Sequence, residues 1–410
     1  MTAATTPEPL TLNPFAPGFF DSPYEQYAQL RADDPVRPAL DTGWLLFAYD
    51  DVIRLLRDPT LSVEDRNVPG PSARNEMVAA MMGDREPRGN RAILNLDPPD
   101  HDRIRRLVSY AFTPKRVREM RPRVDELVTT ALDAVAGRGE MDVISDLAFP
   151  LPFQVISEML GMPDGADRAR LREWSGALVR TLEPIIGPDD VAAAVAASDS
   201  MNAYLHEVLE WKRREPADDL LSAMIAAKEG SDRLDDEELR DQVVLLYVAG
   251  HETTVNLIGN GTLALLRHPD QRARLRGDPS LDQNAIEELL RFDSPVQFSR
   301  RITLAPIEIR GHRIDAGTFV LTVLGSANHD PAQWGPTADE LDVGREGAAL
   351  HVSFGSGVHH CLGATLARVE AQSAIPALVR RFPDLQLATD TLEWNGRLVL
   401  RGLAELPVVF

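Results

Sequence analysis

Cysteine is nearly absent: Cys361 is the single one in 410 residues. Internal disulfides are therefore excluded, and the chain suits a reducing cytosol. Positive charge is in deficit, with 43 Lys and Arg against 63 Asp and Glu and a formal charge of −20. That balance argues against wrapping DNA or RNA, whose phosphates need a basic face, and against an anionic membrane surface. Long apolar runs are missing as well. The longest, Val243 to Ala249, falls far short of the roughly 18 residues a membrane span requires. Met1 to Leu10 carries neither a basic nor an apolar stretch, so no secretory signal and a cytoplasmic location are expected. What is present is ordinary. With 44% apolar and 26% charged residues, the chain reads as a folded globular protein, not a disordered, collagen-like or coiled-coil one.

No repeat period and no Gly/Ser or Pro-rich linker divides the chain, so one large domain over 1–410 is expected. Its first 60 or so residues mix short pieces: helical over Ser22 to Arg31, strand-like over Trp44 to Ala48, helical over Tyr49 to Leu56. From about 98 to 295 the pattern is mostly helical. The part from 296 to 410 turns strand-like up to about 325, with Ile309 to Ile314 alternating around Gly311 and Val320 to Val323 β-branched and apolar. A turn-rich stretch over 329–360 follows, then a helix from Cys361 to about Arg381, then short strands over Leu398 to Leu400 and Pro407 to Phe410. The expected class is mainly α with a small β part.

Phe354-Gly355-Ser356-Gly357-Val358-His359-His360-Cys361-Leu362-Gly363 is the most informative segment. Its glycines permit a tight loop, and the cysteine stands where a helix begins, so first-turn N–H groups should favour a thiolate and lower its pKa. One cysteine cannot build a zinc or iron–sulfur site alone, but it suffices as the axial ligand of a haem. A lone cysteine without context is usually inert and buried; the loop argues otherwise. Position 360 is His, so this is no dinucleotide loop, and His359, His360 and Cys361 are too close in sequence for tetrahedral zinc.

A second segment breaks its own pattern. Asp235 to Leu266 reads as one long helix, apolar until it abruptly carries Gly250-His251-Glu252-Thr253-Thr254. Buried acids and hydroxyls are costly without partners. Gly250 weakens a helix, and Thr253 can bond back to a carbonyl one turn earlier and bend it. An opening there could hold water beside a hydroxyl and a carboxylate, which is a means of delivering protons. Glu288 and Arg291 share one helix face at i and i+3. His101 and Arg105, at i and i+4, lie off the apolar stripe of Ile104, Leu107, Val108, Ala111 and Phe112.

Phe354, Gly357, Cys361 and Gly363 fall on the four fixed positions of Phe-x-x-Gly-x-x-x-Cys-x-Gly, and the segment resembles the haem-binding loop of the cytochrome P450 family. Ala249 to Thr254 resembles that family's oxygen-activation motif, with Glu252 where Asp is commoner. Glu288-x-x-Arg291 before Ser294-Pro295-Val296 resembles its structural ion pair, and the resemblance puts Arg345 or a neighbour as third member. The likeness runs from Asn13-Pro14-Phe15 to Arg401-Gly402-Leu403 and is nearest to soluble bacterial members. In the loop Asn328-His329-Asp330-Pro331, His329 stands where Arg is more usual.

The resemblance implies a prism-shaped single domain with haem b (iron protoporphyrin IX) between the long helix and the cysteine-led helix. It implies Cys361 as the iron ligand and His101, Arg105, Arg301 and His359 as propionate contacts, with Arg300 an adjacent candidate. Ala249, Phe354, Gly355 and Gly363 are further implied cofactor contacts. Thr253 is implied to order water and Glu252 to relay protons from solvent. A substrate pocket is implied over Val63 to Ala92, Leu178 to Ile186, Leu245, Ala249, Val296, Phe298 and Leu398. The expected activity is monooxygenation of a hydrophobic or amphipathic small organic molecule by O2. Nothing in the chain reads as a flavin or nicotinamide site, so a separate ferredoxin and its reductase are the expected electron source. Arg103, Arg106, Lys115, Arg116, Arg118 and Arg368 form a candidate docking patch. A monomer is expected. A haem-thiolate sensor or carrier and a peroxide-driven oxygenase are the alternatives; the acid and alcohol at 252 and 253 argue against both.

Overall fold

The computed structural model describes residues 10–39, 43–70, 91–163, 168–184, 186–229 and 232–410. Helices dominate it. Tyr24–Asp33 and Tyr49–Arg57 lie in the N-terminal part, followed by Asp100–Ala111, Pro114–Val135, Pro150–Leu160, Arg168–Arg180, Pro188–Arg214, Leu220–Ala226, Asp236–Arg267, Pro269–Gly277, Asp282–Phe292 and Ala364–Arg381. The start of the helix Asp236–Arg267 follows from capping chemistry. Asp235 accepts the N–H groups of Glu237 and Glu238, and the Glu238 carboxylate accepts the Asp235 N–H in return. Such a capping box contributes about 1 kcal/mol to the helix it opens.

That long helix, Asp236–Arg267, runs through the molecule. Its buried side chains pack against Pro150–Leu160, Asp282–Phe292 and Ala364–Arg381 in one large apolar core. The helix is unbroken at Gly250. A Cβ there would meet Ile156 Cγ1 at 3.2 Å, so the glycine lets the helix Pro150–Leu160 pack close instead of loosening the turn. Among the described residues no helix is long and apolar enough to cross a membrane.

A five-stranded sheet joins distant parts of the chain. Trp44–Leu46 pairs antiparallel with Val36–Pro38 on one side and parallel with Phe319–Val323 on the other. Phe319–Val323 also pairs antiparallel with Phe298–Thr303, Val320 opposite Arg301, and Leu61–Ser62 closes the other edge. The alternation around Gly311 is a hairpin, Ile307–Ile309 with His312–Ile314, turning at Arg310 (φ 48°) and Gly311 (φ 84°). The segment Leu398 to Leu400 forms a single bridge, Leu400 to Val296, in place of the expected strand. The cysteine helix starts at Ala364, three residues later than expected. The chain before it is held as a loop, with a short 3-10 turn over Gly357–His359 and the Cys361 N–H donated to Phe354 O at 3.0 Å.

Candidate active site

The cysteine loop is shaped by its glycines. Gly355 and Gly357 have φ of +66° and +71°, and a Cβ on Gly357 would lie 2.5 Å from Leu56 O. No L side chain fits there. Phe354 lies under the Arg368 guanidinium, 4.6 Å from ring centre, and Arg368 Nε is 2.6 Å from Glu287 Oε1. Burial would raise Glu287, but His351 and Arg368 outweigh it and hold the carboxyl at about 2.

Cys361 has solvent-accessible surface, yet protein atoms surround it closely; both hold for a side chain facing an internal cleft. Burial pushes its thiol up. The N–H groups of Gly363 and Ala364 and the guanidinium groups of Arg105 and Arg368 oppose this without overcoming it. The sequence expectation of a lowered pKa is thus corrected. Cys361 precedes the helix, and burial outweighs the N–H groups it meets.

Beside the loop, cationic side chains gather from distant segments. His101 is 1% exposed; its Nδ1 faces Asp102 Oδ1 at 2.8 Å, and its Nε2 has no hydrogen-bond partner among the described residues. Its ring centre is 4.4 Å from that of His359. Burial, then His101, Arg301 and Arg105, push His359 down to about 3. Arg105 Nη2 donates to His360 O at 2.7 Å. Arg301 is buried in its strand and, among the described residues, bonds neutral oxygens: Ser299 Oγ, Arg300 O and Leu56 O. Burial lowers it to about 10. Arg300, next along the strand, pairs instead with Asp65 at 2.7 Å on the surface.

A buried guanidinium and an unpartnered buried imidazole nitrogen are costly without an anion. The group therefore fits a pair of carboxylates at the edge of a planar cofactor, and the thiol beside it fits a soft metal centre. A haem satisfies both demands. His101 and Arg105, off their helix's apolar stripe, face this site and not open solvent.

The long helix carries a second group of candidate residues. Leu245, Ala249 and Thr253 recur at one-turn spacing; Ala249 is exposed although its helix is otherwise packed in the core. Thr253 Oγ1 donates to Ala249 O at 3.0 Å. Glu252 is paired with Arg397, Nη1 to Oε2 2.8 Å, and lies 3.6 Å from His251 Nε2. Burial alone would raise Glu252; His251 and Arg397 hold it at about 2. His251 is fully buried, with Nδ1 2.7 Å from Tyr247 O and Nε2 3.1 Å from Ser175 Oγ. Sequence reading missed His251 and Arg397 as partners of Glu252, and Ser175 as a partner of His251. Arg397 lies 145 residues away, and no local pattern announces it.

Glu370, on the cysteine helix, was also missed. It is fully buried with neither oxygen hydrogen-bonded among the described residues, and burial pushes its carboxyl up to about 8. The Thr254 hydroxyl pulls the other way without completing a hydrogen bond.

The structural pair is a buried triad. Arg291 Nε and Nη2 reach Glu288 at 2.7 and 2.8 Å, and Arg345 Nε reaches the same carboxylate at 3.0 Å. His329 is accommodated where Arg is usual. It spans Asp339 and Phe292 O and stacks on Tyr24 at 4.1 Å.

The expected pocket residues are scattered in their surroundings. Leu245 and Val296 are half-buried, whereas Phe298 is buried with its ring edge-on to Tyr27, and Leu398 packs against that same cluster. Residues 71–90 and Ile185 of the expected pocket lie outside the described residues. Most of the expected docking patch is engaged. Arg103 meets Asp232 and Glu238, Lys115 meets Glu119, Arg116 meets Asp218 and Arg368 meets Glu287.

Known proteins resemble this chain in sequence and fold. The cytochrome P450 family model matches residues 178–278 and 280–394. Cytochrome P450 107B1 of Saccharopolyspora erythraea is 42% identical, over 98% of this chain and 99% of its own. The vitamin D(3) 25-hydroxylase of Pseudonocardia autotrophica is 43% identical, over 96% of this chain and 95% of its own. Among solved structures, myxobacterial cytochrome P450 CYP267B1 in complex with myristic acid superposes with a TM-score of 0.87 at 40% identity, covering 97% of this chain and 98% of that one.

Proposed function

Because the chain belongs to the cytochrome P450 family and is a monooxygenase of it, acting on small organic molecules, we propose how its own residues share that work. The cofactor is a haem iron, and the form we propose is haem b. When bound, the haem supplies O2 binding and the redox chemistry that splits it. In net terms a substrate C–H becomes C–OH, the second oxygen atom leaves as water, and two electrons and two protons are consumed.

Cys361 Sγ is the proposed iron ligand; the Gly363 and Ala364 N–H groups stabilise its negative charge. His101, Arg105, Arg301 and His359 hold the propionates, and Phe354, Gly355 and Gly363 shape the loop beneath. Ala249 offers only a methyl group to the cleft, so the helix presents a flat face there. Thr253 orders water, and Glu252 carries protons to it from solvent. The acid–alcohol pair, charged and half-buried in an apolar helix, is the observation that carries this reading; a gas sensor or carrier has no use for it.

Electrons come from a ferredoxin and its reductase. The substrate we propose is hydrophobic or amphipathic, as with the relatives named for vitamin D(3) and 6-deoxyerythronolide B and the structures holding myristic acid or testosterone. We place the enzyme, as a monomer, in the cytoplasm and in secondary metabolism, which the relative named for polyketide biosynthesis supports. A spectral-shift screen of steroids, fatty acids and macrolides finds a ligand. With that ligand, Thr253→Ala should keep consuming NADPH while product per NADPH falls about tenfold or more, within the roughly hundredfold or greater loss that removal of a proton-transfer group can cause. Unchanged product per NADPH would refute the roles given to Thr253 and Glu252.

A further inference from the structure

A relay acid needs a fixed position and a fixed charge until its proton is required. Glu252 draws both from outside its own helix. Its carboxylate meets Arg397 at 2.8 Å and lies 3.6 Å from His251. Arg397 stands in a turn between two bridges, Trp394 to Leu403 and Val296 to Leu400. Asn395 orders that turn from within: its Oδ1 accepts the Arg397 N–H at 3.0 Å, and its Nδ2 donates to Leu400 O at 3.0 Å.

The turn is also held from outside. The Glu183 carboxylate accepts the N–H groups of Leu398 at 2.7 Å and Val399 at 3.1 Å. Glu183 is 7% exposed and follows the helix Arg168–Arg180 by three residues. A carboxylate buried on backbone N–H groups fixes those groups in place, because leaving them unpaired would be costly. The same helix supplies Ser175, whose hydroxyl lies 3.1 Å from His251 Nε2. One helix and its tail thus reach both partners of Glu252, His251 through Ser175 and Arg397 through Glu183.

We infer that Glu183 is a positioning residue for the proton relay: by clipping the Leu398 and Val399 N–H groups, it keeps Arg397 seated on Glu252. The inference rests on Glu252 being the relay acid. It adds that the turn carrying Leu398, an expected pocket residue, is the turn that sets Glu252. A shift of the helix Arg168–Arg180 against the long helix therefore reaches the proton path.

Hydrogen–deuterium exchange of the peptide spanning 395–400 reads the clip without turnover. In haem-loaded protein, Glu183→Ala should speed exchange there about fivefold or more, the scale of a lost hydrogen bond. Glu183→Gln keeps an acceptor oxygen and should return most of the protection. The relay is read from NADPH-driven hydrogen peroxide release without substrate, using a plant-type ferredoxin and its reductase. Arg397→Ala and Glu183→Ala should each raise peroxide release by about threefold or more, and the double variant no further than the larger single one, as expected when both act through one contact. Wild-type exchange in Glu183→Ala, or additive effects on peroxide release, would overturn the inference. Glu252→Ala separates the two readings. If that variant releases peroxide as wild type does, the relay assignment itself fails; if it alone departs from wild type, only the Glu183 clip fails.

Discussion

Replacing Glu288 by Ala is a severe and calculable perturbation. The carboxylate is fully buried and accepts from Arg291, from Arg345 and from the Asp342 N–H at 3.0 Å. Without it, two guanidinium groups stay in the core. Arg291 retains the carbonyls of Asn328, Ala338 and Glu340, and Arg345 those of Thr337 and Glu340. Carbonyls satisfy N–H groups but do not neutralise charge. Removing one partner of such a buried pair costs about 3–5 kcal/mol, a large part of the roughly 5–15 kcal/mol that holds a domain folded. The Lys115–Glu119 pair is the control, with both side chains exposed and 3.6 Å apart; its loss should cost under about 1 kcal/mol. Urea denaturation followed by circular dichroism compares the variants. A loss below about 1 kcal/mol for Glu288→Ala, or one matching Glu119→Ala, would refute the reading of this triad as a buried charge balance that stabilises the fold.

Acid should act through Glu252 and Glu287, both held at about 2 against an ordinary 4.5. Their folded-state values are depressed, so the stability they contribute is present above pH 4.5 and lost as pH falls from there towards 2. Glu252→Gln and Glu287→Gln should each flatten that loss in acid titrations of the melting temperature. Glu370 has the opposite sign. Its value is raised from 4.5 to about 8, so stability drains as pH climbs through that interval, and Glu370→Gln should be more stable than wild type above neutrality. Arg301→Gln should weaken haem retention by about tenfold to a hundredfold, the worth of one charge-assisted hydrogen bond, read as transfer to apomyoglobin.

The parts legible in the sequence were those whose chemistry is local. The cysteine loop shows because glycines, an aromatic and a thiol fall within ten residues, and positive φ at Gly355 and Gly357 bears out their role as loop formers. The long helix shows because its cap and its polar interruption are continuous in sequence, and its bounds shift by a single residue at each end. Glu288 and Arg291 show because they share a helix face, and Arg345 was placed only through the family likeness. Other features depend on contacts between remote segments. The parallel pairing of Trp44–Leu46 with Val320–Thr322 has no signature in either strand. Arg397 on Glu252 and Glu183 on the 398–399 backbone arise only when the chain closes. Cys361 was expected to open its helix and be acidified by it; the loop stops three residues short, and burial then decides the thiol. Gly250, a weak point of a helix by sequence, is a packing contact with Ile156.

The iron ligand proposed for the haem is the Cys361 sulfur. The reduced protein under carbon monoxide tests it most directly. The wild type should show the red-shifted Soret band of thiolate ligation, and Cys361→Ser should lose it. A band at the unshifted position in the wild type, or a shifted band that survives the substitution, would contradict that assignment.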